Sequence, residues 1–424
     1  MKSIALHVFM LLSILTAVGG VAQRKTACNS NRLPVVYVHG FLGAGDNWAL
    51  QSQRLEANGY CPERLFVFDW NTLNRQTPSD SLLQIFIQQV LKSTGARQVD
   101  LVGHSAGGGL CSRFLGRPDR AAMVAHYVHI GSFALPGLPG GVPTMNIYSS
   151  SDLVAGKAGP VAGAENVKQV RTDHLEVVTS EESFNAIFGF LVPYQKPHSY
   201  ISPVRDPFVS GRALMLGENT PLANAVIEIW QHDTLSGNRI GKGPEWKTVA
   251  DSLGNWKGFK AKAGMAYEFV LRPQKGRVIH YFQGPFTYHQ RLLYLRGLPT
   301  GGMTAMILGG LPSDAASSAI AIFTANAAII AGRDTLSCNG RVLSTPELTP
   351  ASKTCIALFL YDEGKDGKGE AKPMARFGAA PFLNGADIML PERPGTPIGI
   401  HYNGRTRRLP PIPSSEGVMV AVFE

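Results

Sequence analysis

The stretch Val99-Asp-Leu-Val-Gly-His-Ser-Ala-Gly-Gly108 constrains the fold of this chain more than any other. Val99, Leu101 and Val102 form a short β-branched and apolar run that leads directly into Gly103-His104-Ser105-Ala106-Gly107, and a helix-compatible run follows. A strand that enters a helix through so tight a turn forces the central serine into a strained backbone conformation. It also places glycines where a Cβ would strike neighbouring elements. The corner belongs at the carboxyl edge of a parallel sheet and holds a serine hydroxyl at a helix N-terminus, whose dipole favours a developing negative charge. In a chain with 46 glycines, the bare G-x-S-x-G pattern is weak. The strand before it and the helix after it give it meaning, and the implied chemistry is acyl transfer through a serine ester.

The surrounding sequence continues in the same style. Short, nearly all-apolar runs at Val35–His39, Leu65–Asp69, Val99–Gly103, His126–Ile130, Thr144–Ser149 and Val167–Arg171 read as strands buried on both faces. Helical patterns lie between them. The clearest is Asp80–Thr94, with Ser79 as N-cap, one apolar face and Gly95 as stop; the last is Glu181–Leu191. Alternating β and α units predict a doubly wound, mostly parallel sheet over residues 23–195. Three prolines at 193, 197 and 203 mark a linker, placed at 196–207. From 208 to 424 the pattern changes to alternating strands and Gly/Pro/Asn turns, which predicts an all-β sandwich or barrel.

Residues 1–22 stand apart: Lys2, an apolar run, then Gly19-Gly-Val-Ala22. This is the pattern of a cleaved export signal, so a secreted or periplasmic protein is expected. The formal net charge of +9 biases the surface towards anionic partners, but the basic residues are scattered and no nucleic-acid-binding motif is present. No stable protein partner is implied. An exported protein can oxidise its cysteines. Cys28 and Cys61 each precede a strand of the first sheet, which favours a Cys28–Cys61 disulfide; Cys338 and Cys355 are a candidate pair in the second domain, and Cys111 reads as a buried thiol. No Cys or His cluster has zinc spacing, and Asp362–Glu370 lacks the ligand pattern of a calcium loop, so neither metal nor cofactor is expected.

Serine attacks an ester only when a base takes its proton. In this fold the order along the chain is Ser, acid, His. His174 lies in the loop after the last strand, whereas His126 and His129 sit on a strand and His198 in the linker. The acid should end a strand between Ser105 and His174. Asp152, after Tyr148-Ser-Ser-Ser, fits better than Asp173, beside the histidine, or Asp119, at a helix start. Two backbone N–H groups should receive the oxyanion: Ala106, and Phe41 in the His39-Gly-Phe-Leu-Gly loop. Leu42, Phe133, Leu135 and Leu138 are candidates for an apolar acyl pocket.

In Val36-Tyr-Val-His-Gly-Phe-Leu-Gly, Thr94-Gly-Ala-Arg-Gln-Val-Asp-Leu-Val-Gly-His-Ser and Ile147-Tyr-Ser-Ser-Ser-Asp the chain resembles the class 2 bacterial lipases, over about Arg32–Leu191. Over its whole length it resembles the archaeal-type two-domain lipase with a C-terminal β-barrel, in Ala57-Asn-Gly-Tyr, Arg120-Ala-Ala-Met-Val-Ala-His, Ala266-Tyr-Glu-Phe and Ile279-His-Tyr-Phe-Gln-Gly-Pro-Phe. The first half of the β-domain is similar to transthyretin-type modules. These resemblances imply an α/β-hydrolase fold for residues 23–195 and carboxylic ester hydrolysis, with a β-domain that helps to bind lipid. Two departures follow. Phe68–Pro78 leaves no room for that family's lid, which predicts an open cleft. Where the archaeal-type lipase takes its acid, this chain has Ile130-Gly131-Ser132, which returns the role to Asp152.

The expectation is thus a secreted serine ester hydrolase acting on lipid-like or polymeric esters, at a lipid interface or polymer surface. The alternatives are a polyester depolymerase of the polyhydroxyalkanoate or cutinase type, and a non-catalytic surface-binding protein that keeps a hydrolase scaffold.

Overall fold

Strands whose residues are apolar at every position need cover on both faces, and the first half of the chain supplies it. The computed structural model describes residues 28–424 apart from 75, 157, 300 and 394; the leader read at 1–22 lies outside the described residues. Strands β1 (Val35–Val38), β2 (Leu65–Phe68), β3 (Val99–His104), β4 (Val124–Ile130), β5 (Thr144–Ser149) and β6 (Glu165–Gln169) form one parallel sheet in the order β2-β1-β3-β4-β5-β6. Period-two alternation divides its side chains. Val35 and Tyr37 face helices α1 (Ala49–Ala57), α5 (Glu176–Thr179) and α6 (Glu181–Leu191). Val36 and Val38 face α2 (Ser79–Thr94), α3 (Ala106–Leu115) and the short α4 (Pro118–Ala121).

Helix α6 shows how the sequence builds this layer. Ser180 caps it by accepting the Ser183 N–H, and Phe184, Ile187, Phe188 and Leu191 are buried at helical spacing. Each such side chain contributes about 1.5–3 kcal/mol on burial. Helix α2 ends at Gly95 in the left-handed conformation, φ +67°, as its sequence implied. Its start differs from expectation. Pro78 holds the cap position, and Ser79 is the first helical residue, with its hydroxyl donated to Thr77 O.

The strand order reverses between β1 and β3, and the carboxyl ends of strands at such a switch point frame a crevice. The loops after β1, β3, β5 and β6 all converge there. A parallel bridge between Asn29 and Tyr60 brings Cys28 beside Cys61, and the two form a disulfide.

After a segment without regular structure, tied back to α1's end by Asn58 and His198, the described residues of the second half form sheets plus one α-helix, Gly302–Leu308, and two short 3-10 turns. A nine-stranded mixed sheet is the middle layer. On one face lies the three-stranded sheet of Phe208–Met215, Asn255–Lys260 and Leu295–Gly297; on the other lies the four-stranded sheet of Leu336–Cys338, Arg341–Val342, Ile398–Tyr402 and Arg405–Leu409. The nine-stranded sheet does not close. Its hydrogen-bonded order runs from Trp246–Val249 to Leu383–Asp387, two ends that do not pair, so the arrangement is layered and not a barrel.

The expected Cys338–Cys355 disulfide is absent. Both are free, buried thiols in one apolar cluster, Cys338 on a strand of the four-stranded sheet and Cys355 opposite Ile329. Each packs as a small apolar side chain, and burial pushes both thiols up to about 12.

The two halves meet over a polar and apolar interface. Arg212 and Tyr294 both reach Asp69, Arg296 pairs with Asp46 and Arg291 with Glu56, while Ala44 packs on Leu214 and Tyr294.

Candidate active site

The turn between β3 and α3 has the strained geometry that its glycines suggested. Ser105 sits at φ +53°, ψ −123°, with its N–H donated to Ile130 O at 2.9 Å. A Cβ on Gly107 would come within 2.4 Å of the carbonyl oxygens of Val38 and His39, and one on Gly40 within 2.9 Å of Ser105 Cβ. Glycine at these two positions lets α3 and the loop after β1 close on the serine.

Three side chains named from the sequence come together. His174 Nε2 lies 2.9 Å from Ser105 Oγ, and His174 Nδ1 lies 2.7 Å from Asp152 Oδ2. An ionised carboxylate only accepts, so Nδ1 carries the imidazole proton and Nε2 is free to accept from the serine. The other Asp152 oxygen receives the N–H groups of Val154 and Ala155. Burial pushes the Asp152 carboxyl up, but the hydrogen bond and charge of His174 and these two N–H groups outweigh it, and its pKa falls below the usual value.

His104, one residue before the serine, was not singled out by its sequence position. Its Nε2–H donates to His174 O at 2.9 Å, and burial next to His174 holds it far below the ordinary histidine value, hence neutral. From the second half of the chain, the Phe382 ring lies parallel to the His174 imidazole, at 7° and 5.8 Å between centroids. With this cover His174 is only 3% exposed. The expected open cleft is therefore narrowed on the His174 side by Phe382.

Ala106 is the first residue of α3, so its N–H lies outside the helix's own hydrogen-bond ladder. Phe41 follows Gly40 across from Ser105, in a loop held by several bonds. Leu42 N–H reaches Thr72 Oγ1 at 3.0 Å, and His39 Nε2 accepts the Trp70 N–H at 3.1 Å, so that His39 Nδ1–H donates to Gly40 O at 2.8 Å. Burial holds His39 down to about 4, neutral at ordinary pH.

The four acyl-pocket candidates separate. Leu42 and Phe41 line a cavity of about 400 Å³ between the two halves, together with His174, Leu216, Phe323, Phe359 and Leu383. Phe133, with Val154, lines a more open cleft of about 510 Å³ at Ser105 and Ala106. Leu135 instead packs on the apolar cluster under α2 and α3, and Leu138 lies against Gly163; neither lines these two spaces. The passed-over groups are also placed. His126 pairs with Asp100, His129 bonds Tyr127 and Phe133 O, Asp119 pairs with Arg117, and Asp173 turns towards Ala328 and Arg333.

Comparison with known proteins adds likenesses to three family models. Residues 32–115 match the lipase (class 2) model, residues 206–298 the lipase C-terminal domain model, and residues 325–419 a further C-terminal-domain model. The class 2 match spans the Gly40–Phe41 loop and Ser105, and stops before Asp152 and His174. Solved structures similar to the chain include a lipase from Bacillus licheniformis, 15% identical over 39% of this chain and 94% of its own (TM-score 0.32). An esterase from Rhodococcus sp. is 16% identical over 39% and 92% (TM-score 0.32). A carboxylesterase from Bacillus subtilis is 14% identical over 40% and 87% (TM-score 0.31). The chain is thus similar to the class 2 lipases over part of its α/β-hydrolase-like half and to the lipase C-terminal domain over part of its β half, which supports a two-domain, class 2 lipase-like carboxylic ester hydrolase.

Proposed function

We propose that the chain is an exported serine esterase or lipase that works through an acyl-enzyme and takes an apolar acyl chain into the interdomain cavity. The observation that carries this reading is the unbroken relay from Ser105 Oγ through His174 to Asp152, at 2.9 and 2.7 Å, on a strained strand–helix corner. Ser105 attacks the ester carbonyl as His174 takes its proton. The N–H groups of Phe41 and Ala106 receive the oxyanion, and Asp152 stabilises the imidazolium without taking its proton. His174 then protonates the departing alcohol, and water repeats the cycle on the acyl-enzyme.

The cavity volume falls in the range of ligand pockets, about 300–1,000 Å³, and its walls are mostly apolar. That supports a flexible acyl chain on the His174 side, with the alcohol leaving through the open cleft. Phe133, Leu153 and Val154 are exposed around that cleft, which supports contact with a lipid interface. Export is supported by the leader pattern and by the Cys28–Cys61 bridge, since such bonds persist in oxidising compartments.

A chain-length series of nitrophenyl esters, set beside tributyrin and a polyester film, tests the substrate. Long-chain esters should be preferred, and faster attack on the film would turn the reading to a polyester depolymerase. Ser105→Ala should lose on the order of 10⁵–10⁶-fold in kcat. Full activity in that variant would refute the mechanism, whereas a wild-type protein that binds the film and hydrolyses no ester would favour a surface-binding protein.

A further inference from the structure

We infer that the second domain is a working part of the catalytic centre, in which Arg333 and Asn219 are positioning residues, one for the loop that carries His174 and the other for the loop that carries Phe41. This rests on the roles proposed above for Ser105, His174 and Phe41.

His174 is bracketed by two acids, and both are tied to the other domain. Asp173 Oδ1 receives the N–H groups of Leu175 and Glu176 at 2.8 and 2.9 Å, which fixes the turn into α5. Its Oδ2 receives Ala328 N–H at 2.9 Å and Arg333 Nη1 at 3.0 Å. The same Nη1 reaches Glu176 Oε2 at 2.7 Å, and Glu176 Oε2 in turn receives the Asp173 N–H at 3.0 Å. The far edge of the guanidinium is held by Asp334 Oδ2 and by Ala328 O. One planar fork therefore locks both ends of a four-residue segment with the imidazole inside it, a geometry that a point-charge ammonium does not reproduce. The Phe382 ring against the imidazole comes from the same domain, on a residue held at φ +66°. Within the first domain the His174 backbone has the His104 bond to its carbonyl.

The oxyanion side has a matching hold. Asn219 is buried, adopts the left-handed conformation at φ +56°, and points its amide into the loop after β1. Its Nδ2 donates to Gly43 O at 2.9 Å and Trp70 O at 3.0 Å, and lies 3.2 Å from His39 Nε2. His39 and Gly43 are the two ends of the segment that presents Phe41. Because a displacement of about 1 Å costs on the order of 100-fold in rate, side chains that fix these two loops govern turnover without touching substrate.

The test uses the full-length protein. Active sites are counted by the nitrophenol burst, and kcat per titrated site, KM and thermal midpoint are measured for wild type, Arg333→Met, Arg333→Lys and Asn219→Gly. Glycine keeps the left-handed backbone at 219 while removing the amide. Positioning predicts that kcat per titrated site falls on the order of 10- to 100-fold in Arg333→Met and Asn219→Gly with KM little changed, and by less in Arg333→Lys. A purely structural role would lower the number of titratable sites or the thermal midpoint and leave kcat per site at the wild-type value; that result overturns the inference. Should Arg333→Met fail to fold, wild-type kcat per site in both Arg333→Lys and Asn219→Gly has the same force. A wild-type protein that hydrolyses no ester and gives no burst overturns the proposed function and this inference with it. A normal wild-type burst with unaffected variants overturns this inference alone.

Discussion

His39 makes the folded state sensitive to mild acid. The ring is 1% exposed, and its Nε2 accepts from Trp70 N–H at 3.1 Å, with the Asn219 amide 3.2 Å away. A proton on Nε2 would turn that acceptor into a donor facing two donors. Burial, only partly offset by the Asp69 charge and the Gly40 carbonyl, lowers its pKa from 6.5 to about 4. A histidine whose folded pKa lies below its unfolded one binds its proton more tightly in the unfolded chain. Its contribution is therefore complete above pH 6.5 and is lost as pH falls to about 4. At about 1.36 kcal/mol per unit, that loss is about 3 kcal/mol. His104 acts in the same direction, so the wild-type curve alone does not isolate His39. The discriminating perturbation is His39→Gln, whose amide oxygen offers an acceptor that does not titrate. Urea unfolding of both proteins should be followed by tryptophan fluorescence, to which Trp70, stacked on His39, contributes, at intervals from pH 7 to pH 4. The stability difference between them should shift by about 3 kcal/mol in favour of the variant across that window. Parallel curves would refute the argument that burial holds His39 neutral.

Other consequences are open to measurement. Ala321 lines the interdomain cavity, so Ala321→Phe should move the preferred nitrophenyl ester to a shorter chain, whereas an unchanged optimum would place the acyl group elsewhere. Reduction of the Cys28–Cys61 bridge, which spans 33 positions, should cost about 4 kcal/mol by chain entropy, seen as a lowered thermal midpoint in reductant. Gly107→Ala should cost about 1–3 kcal/mol and depress kcat, because its Cβ meets the backbone of β1 and the shift passes to the oxyanion loop. A variant of wild-type stability and rate would mean that the corner is looser than the contacts imply.

The first domain was legible because its information is local. Each βα unit announces itself by an apolar run, a turn and an amphipathic helix, and a parallel sheet places every loop that follows a strand on the same edge. The choice of Asp152 over Asp173 followed from that rule, from Asp173's place beside the histidine and from the class 2 resemblance, and the structure gives Asp173 a different set of partners. The second domain resisted the same approach. Val418–Phe423 pairs in parallel with both Ile279–Gln283 and Ile320–Thr324, a non-local register that no turn signal encodes. Cys338 and Cys355 looked like a pair because both fall in one predicted domain; distance between sheets is invisible in spacing. Leu135 and Leu138 were apolar residues near the cleft in sequence that turn into the packing around it. Asn219, Arg333 and Phe382 carried no signal, since their meaning lies in partners some 150 to 200 positions away, across an interface that exists only in the folded chain.

That late strand also sets an order of events. Residues 418–423 sit at the centre of the nine-stranded sheet, between strands that end about 94 and 135 positions earlier, so the sheet remains split until they have emerged. The first domain's sheet, complete by residue 169, can form long before. During synthesis the serine corner is thus present while the sheet that abuts its histidine loop is still in two pieces.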